Sequence, residues 1–482
     1  MDVIILTCIS DFVFQRAIGA YQIAHYLRKN NFSVQVVDFT DYFSNEELVQ
    51  VINKFVTKST LAFGISTTFY RQDSKHFVNN NDDKFALKSL PENINFAIGY
   101  LKKNFPHIKI VMGGSKANDS FLGVADKVIK GYGEIEFLSY LKTLKQKNSI
   151  KNFYKPNEVF NIETLDHKFM LQDCILDNET LPIEISRGCI FKCKFCAFPL
   201  NGKSKFDYLR DPYLLKEELI YNYENFKTTN YYFCDDTFND TTLKLEKIHK
   251  VITELDFKIN FTTYLRLDLL YAHKEQIKLL YEMGLASGFF GIESLNQKSA
   301  SAVGKGMNVE KTKEFLLDLY YNYWNSNIPI TCSFIVGLPY ETYDTIKETY
   351  DWIKETPLNS MFFPLAITNK SYFKSEFDRN YSEYGYILDM DSEKWTNDHF
   401  TFDGALELAE QFNTELMRKN DYPSSWFLMT LLSHGYTLNE AKSTQVKDIN
   451  LKRLLKAKLN NIRNYKSKLM LLLNDDRKTP DN

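Results

Sequence analysis

The chain has 482 residues, enough for about three domains at roughly 150 residues each. Its 44% hydrophobic content can fill more than one core, which excludes a disordered chain. With 59 basic against 61 acidic residues the net charge is −2, which is not the footprint of a dedicated nucleic-acid binder, although a local patch hidden in that average leaves a nucleic-acid substrate open.

The start, MDVIILTCIS, has no basic n-region and only a short apolar run, so it reads as a first strand rather than a signal peptide. No apolar run reaches ~18 residues, so no membrane-spanning helix is expected. Strands are predicted at 3–8, 34–39, 61–67, 108–114 and 127–131. Helices fall between them, at about 14–29, 45–56, 93–104 and from Glu134 onward. Residues 70–92 are polar and read as an excursion. Such alternation implies a parallel sheet covered on both faces, a Rossmann-like unit over 1–145. Residues 146–178 carry weak periodicity and read as a linker. A second alternating series fills 179–359, with strands at 183–186, 231–235, 259–265, 287–293 and 330–337. Its helices lie near 213–226, 241–254, 273–282 and 309–323. From 360 to 482 the chain reads as mostly helical, after a strand-like stretch at 361–367. The helices there are 403–419, 424–433, 437–445 and 449–473. The last one is amphipathic and basic. A solvated helix face is the plain reading, and docking of an anionic partner is the other.

Seven cysteines are present, and Cys189, Cys193 and Cys196 crowd together where a strand gives way to a loop. An odd count with such a cluster argues for a reduced compartment and a metal site rather than a disulfide framework. A loop lets three thiolates converge, and iron–sulfur clusters are normally held by cysteine. Three thiolates leave one iron open to a ligand. A zinc site of three Cys and one His lacks a recognisable knuckle, since His167 and His249 are not placed to complete one. Cys234 and Cys332 read as buried strand residues.

The segment Ser186-Arg-Gly-Cys-Ile-Phe-Lys-Cys-Lys-Phe-Cys196 resembles the C-x3-C-x2-C signature of the radical S-adenosylmethionine (SAM) superfamily. Phe195 matches the aromatic residue that in the family packs near the SAM adenine. Phe233-Cys-Asp-Asp-Thr-Phe238, Arg266-x-Asp268, Gly291-Ile-Glu-Ser294 and Phe334-Ile-Val-Gly-Leu-Pro-Tyr-Glu-Thr342 resemble four further family blocks, in family order. The resemblance covers about 180–345. It implies a partial (β/α)6 TIM-like barrel over 179–359, a [4Fe–4S] cluster on Cys189, Cys193 and Cys196, and reductive cleavage of SAM to a 5′-deoxyadenosyl radical that abstracts hydrogen. A one-electron donor of the flavodoxin or ferredoxin type, a cytoplasmic location and an unidentified organic substrate follow from it. Asp235 or Asp236, at a strand end, is a candidate acceptor for the SAM amino group, the other capping the next helix. Arg266 is a candidate fork for the SAM carboxylate, against a surface salt bridge. Glu293 and Ser294 reach the ribose or amino group, or cap a helix. Gly337 lets the backbone approach adenine, or serves a tight turn.

Residues 1–145 resemble the cobalamin-binding-type domain that precedes the barrel in one branch of the superfamily. The resemblance rests on Gly19, Val111-Met-Gly-Gly114 and Gly131-Tyr-Gly-Glu134. It names Ser66, Thr67, Gly113 and Gly114 as cobalamin contacts. The usual D-x-H-x-x-G after the first strand is replaced by Ser10-Asp-Phe-Val-Phe-Gln15, so the lower-ligand histidine is missing. If cobalamin binds, methylation of an unactivated carbon is the leading reaction. The alternatives are cobalamin-independent radical modification of RNA or protein, and a non-catalytic iron–sulfur or zinc scaffold.

Overall fold

The computed structural model describes residues 1–9, 13–70, 90–146, 160–197, 208–368, 373–419 and 424–472. Most of the polar excursion expected at 70–92, residues 147–159 of the expected linker, Ser10–Phe12 and Leu473 lie outside the described residues.

Val3–Leu6 (β1), Val34–Val37 (β2), Ala62–Ser66 (β3), Lys109–Gly113 (β4) and Lys127–Val128 (β5) form one parallel sheet, in the order β2-β1-β3-β4-β5. The strands are apolar on both sides because helices cover both faces. Ile18–Lys29 (α1) and Glu134–Lys145 (α4) bring Tyr21, Ala24, Leu27, Phe137 and Leu141 to one face. Asn45–Phe55 (α2) and Glu92–Asn104 (α3) bring Leu48, Ile52, Ile94 and Leu101 to the other. A capping box of Ser44 and Glu47 starts α2. This strand order reverses direction between β1 and β3, and ligands of such sheets collect at the carboxyl ends of the strands there.

The second sheet takes its strands in chain order, all parallel: Leu181–Ile183 (β6), Asn230–Phe233 (β7), Asn260–Leu265 (β8), Leu285–Glu293 (β9), Ile330–Val336 (β10) and Asn359–Pro364 (β11). β6 and β11 are its edges, so the barrel is partial. The sheet runs on past residue 359, and the strand-like stretch near 361–367 is its sixth strand. Between strands run Pro212–Phe226 (α5), Thr242–Thr253 (α6), Leu267–Ala272 (α7), Glu275–Glu282 (α8), Gln297–Ala302 (α9), Val309–Asp318 (α10) and Tyr343–Lys354 (α11). The strand expected at 183–186 ends early. Asp235 Oδ1 accepts from the N–H groups of Ile185 and Ser186, so they leave the ladder.

Alternation puts Phe233, Phe261, Phe290 and Phe334 against these helices. The same register puts Tyr232, Tyr264 and Phe289 on the concave face. Beyond β11 come Glu376–Asn380 (α12), Phe402–Lys419 (α13), Ser425–Ser433 (α14), Leu438–Ser443 (α15) and Leu451–Leu471 (α16). α14 lies in the concavity: Ser425 donates to Gly288 O and to Thr331 Oγ1, and Leu428 and Leu432 cluster with Ala286 and Tyr232.

The basic helix α16 keeps a solvated face, and its buried stripe works as a strap. Leu454 joins the α14 cluster, whereas Ile462, Tyr465 and Leu469 enter the core of the N-terminal sheet. Tyr465 Oη accepts the Asp38 N–H at 2.8 Å, and Lys466 bonds Glu47. The described part of the expected linker is also fixed. Arg16 forks onto Glu179 and Arg28 onto Asp173, both pairs buried. No helix among the described residues is long and apolar enough to cross a membrane.

Candidate functional site

The cysteine loop leaves the carboxyl end of β6 and returns before α5. Its base is stapled. Ser186 and Leu209 form an antiparallel bridge, Arg187 N–H donates to Tyr208 O, and Arg210 N–H donates to Ile185 O. Under this base sits a buried polar network. Lys244 Nζ, on α6, donates to Asp235 Oδ2 at 2.8 Å, to Ser186 Oγ at 2.9 Å and to Thr237 O at 3.2 Å. Ser186 Oγ donates to Asp235 Oδ2, and Tyr208 Oη to Asp240. Burial pulls the Lys244 pKa down, but Asp235 and Asp240 outweigh it and hold it above the usual lysine value.

None of the three thiols is in a disulfide, and they lie beyond the strand ends. Cys189 Sγ lies 3.4 Å from Thr237 Oγ1, after β7, and accepts from Phe191 N–H. Arg266, after β8, donates through Nη1 to Cys193 Sγ at 3.4 Å. Lys194 N–H donates to Val303 O after β9, and Cys196 N–H turns back to Cys193 O. Burial pushes the Cys189 thiol up against its two hydrogen bonds. Coordination would reverse that, since a metal-bound thiol is deprotonated outright. Among the described residues no three His, Cys, Asp or Glu converge as ligands of one metal ion. The donor set of three thiols fits a cluster, which is larger than one ion and spaces its thiolates more widely.

The other sequence candidates divide. Asp235 is wholly committed to protein donors, so it positions the loop instead of meeting a ligand. Asp236 opens onto the space above the sheet. Water reaches it, yet the protein around it is dense enough that burial, then repulsion from Asp235 and Glu184, pushes its pKa up to about 7. Phe195 packs half-buried beside the third cysteine. Arg266 is already engaged: Asp268 takes its fork at 3.0 and 2.6 Å, and Phe191 stacks 4.0 Å from it. Glu293 pairs with Lys305 at 3.3 Å. Ser294 Oγ donates to Glu341 Oε1, whose other oxygen accepts from the N–H groups of Gly337 and Leu338. Burial pushes Glu341 up to about 8 against those three donors. Gly337 is covered by Trp395, not open to a ligand: a Cβ built there would lie 2.2 Å from the indole.

A second concavity lies between the two sheets. It is a cavity of about 280 Å³ at the carboxyl ends of β1, β3 and β4. Of the four named candidates, Ser66, Gly113 and Gly114 line it. Thr67 is not among the lining residues. Its hydroxyl and its N–H both donate to Gly113 O, which ties β3 to β4. Gly19, Gly64, Gly131 and Gly133 widen the walls, and a Cβ on Gly19 would meet nothing within 4 Å. The far wall belongs to the barrel: Glu184, Arg187 and Cys234. Arg187 holds the two units together, donating to Glu184 at 2.9 and 2.8 Å and to Glu134 at 2.8 Å, with Tyr132 stacked at 4.6 Å. No histidine lines this cavity among the described residues.

Residues 183–353 match the family model of the radical SAM superfamily. The match runs from the end of β6 into α11, so it takes in the cysteine loop and the four blocks that follow it. The bacteriochlorophyllide d C-8(2)-methyltransferase of Chlorobaculum tepidum is 25% identical over 46% of this chain and 49% of its own length. The chain thus spans about half the length of the curated relatives it matches. Among solved structures, the radical SAM methyltransferase TsrM of Kitasatospora setae, with cobalamin and a [4Fe–4S] cluster bound, superposes with a TM-score of 0.62 at 13% identity, over 95% of this chain and 99% of that one. The cobalamin-dependent enzyme OxsB, with aqua-cobalamin and SAM bound, gives 0.58 at 15% identity, over 99% and 82%. These two likenesses are of fold, and they extend across both sheets and the helical tail of this chain.

Several residues of the site were invisible to motif reading. Lys244 left a trace: its spacing with Ile248 and Val251 puts it on the buried stripe of α6, where a lysine needs a partner. Trp395 stands out in the sequence of the aromatic stretch 360–402, but its contact with Gly337 does not, because it arrives from another part of the chain. The contact makes a test. Gly337 holds φ +92°, a conformation that L side chains rarely adopt. Gly337→Ala should therefore cost about 3 kcal/mol, through backbone strain and overpacking together. Chemical denaturation of the full chain measures it.

Proposed function

We propose that this chain is a radical enzyme that holds a [4Fe–4S] cluster on Cys189, Cys193 and Cys196 and cleaves SAM reductively, with cobalamin in the cavity between the sheets and C-methylation of an organic substrate as its reaction. One observation carries the reading. The far wall of the glycine-walled cavity includes Glu184 and Arg187, which lead from β6 into the cysteine loop, and Cys234, which follows β7. A cofactor in that cavity would therefore lie against the segment that leads into the cysteine loop. When bound, the cluster and SAM supply a hydrogen-abstracting carbon radical, and cobalamin supplies a methyl group.

The chain's own residues do the positioning. Lys244 and Asp235 hold the base of the loop. Arg266 presents an N–H to Cys193. Asp236 and Phe195 are the SAM candidates that the fold leaves beside the loop. α14 and the aromatic concave face keep water from the barrel interior. Residues 1–145 would carry cobalamin, 179–359 with β11 the radical chemistry, and the helical tail the closure of the barrel. The names of the C. tepidum relative and of TsrM and OxsB support methyl transfer and cobalamin. A reduced cytoplasmic setting and a one-electron donor complete the reading.

Anaerobic reconstitution with iron and sulfide, then dithionite, should yield methionine and 5′-deoxyadenosine from SAM; no cleavage by a loaded cluster would sink the reading. Gly19→Phe tests the cavity. Its ring would enter the cavity from an exposed helix position, so stability should stay within about 1 kcal/mol. Cobalamin binding, followed by its visible absorption after gel filtration, should weaken by about tenfold or more, a loss of ~1.4 kcal/mol or more.

A further inference from the structure

The partial barrel has an open seam at β11, and a cavity of about 240 Å³ wraps that edge strand. Its inner wall is Met361 and Phe363, and its outer wall is α13 with Trp426 and Phe427 of α14. Trp426 also stands in the wall of a smaller cavity of about 40 Å³ inside the barrel, beside Tyr264 and Phe289. Trp426 is thus common to the walls of both spaces.

Three features say what could enter. First, a peptide strand is shut out. Asn413 donates to Phe362 O and accepts from Phe362 N–H, both at 2.8 Å, so the edge backbone is already paired where a strand would add. Second, an anion finds no cation. Among the described residues the lining of both cavities holds no Lys, Arg or His, and Glu410 stands on the outer wall. Third, each chamber holds a hydroxyl without a partner. Thr262 Oγ1 in the inner cavity and Ser360 Oγ in the outer one are buried and make no hydrogen bond, and Thr262 is 2% exposed. A buried hydroxyl left unpaired is costly, so each is a place for a ligand's polar atom.

We propose that this seam chamber receives the substrate, and that the substrate is an uncharged, elongated, apolar molecule bearing a hydroxyl or carbonyl group. Thr262 and Ser360 take its polar atoms, and Trp426 is the partition that it passes. The substrate role rests on the proposed radical function; the binding site does not.

All-trans-retinol, a neutral isoprenoid alcohol, is the probe, read by its own fluorescence in the full chain without SAM. Saturable binding is expected, with retinoate at least about tenfold weaker for want of a cation. Thr262→Val should weaken retinol by about tenfold, the scale of one hydrogen bond. Met417→Trp changes a half-exposed position on the cavity's outer wall, so it spares the core and should block entry. Absence of saturable binding, equal binding of retinoate, or binding untouched by both substitutions overturns the proposal. Failure of SAM cleavage in the same preparation would overturn the radical reading alone and leave the binding result standing.

Discussion

Replacing any one of Cys189, Cys193 and Cys196 by alanine should abolish cluster loading and reduce SAM cleavage to the level of the unreconstituted chain. None of the three thiols is in a disulfide, and each cysteine is held in place by a different neighbour: Thr237 after β7, Arg266 after β8, and the turn back to Cys193 O. A cluster held by three ligands has none to spare. Loss of the broad visible absorption after reconstitution is the first readout, and absence of 5′-deoxyadenosine the second. Cys332→Ala is the matched control. Cys332 is buried on the helix-covered face of β10, so its removal should leave the colour intact. A variant of the triad that keeps both colour and cleavage would refute the ligand assignment.

Lys244→Met should be the most damaging single change outside the cysteines, costing about 3–5 kcal/mol, because it strands the Asp235 carboxylate in the interior. Both side chains of the pair are almost wholly buried. Asp235 would keep the N–H groups of Ile185 and Ser186 but lose its one charged partner among the described residues. Asp235→Asn placed on top should recover a large part of the loss, since it removes the unpaired charge. The pair should be insensitive to pH near neutrality. The Lys244 pKa is raised in the fold, so its contribution is complete below the unfolded value and is lost only as pH climbs through the folded one. Denaturation of single and double variants measures the coupling, and the cluster absorption reports whether the loop has moved. A Lys244→Met protein of unchanged stability would show that the network is ornamental.

Local pattern and tertiary contact contributed differently. The alternation of strands and helices was readable because side-chain periods of two and 3.6 are local properties. The parallel pairing of both sheets follows from that alternation with few other choices, whereas the order of the N-terminal strands does not. The thiol triad was equally local, since all three cysteines ride one short loop. The hydrogen-bonded state of each candidate was not local. Asp235 and Asp236 are adjacent in sequence, yet one is locked by Ser186 and Lys244 and the other opens to the site. Period-two alternation said that they differ, but not which way each turns. Gly337 looked like a place for a ligand until Trp395 filled it.

By itself, then, the amino-acid order determined the two α/β units, the triad at a strand end, and the absence of a histidine where a lower ligand would stand. Only the tertiary structure decided that α16 straps both units together and that α14 fills the concave face. It alone made the glycine-walled cavity, because that wall takes residues from α1, β3, β4 and the barrel's own strand ends. The physical reason is separation along the chain. Secondary structure is written in contacts a few residues apart, whereas a site closes between groups such as Arg187 and Glu134, or Asp38 and Tyr465, that no local pattern brings together.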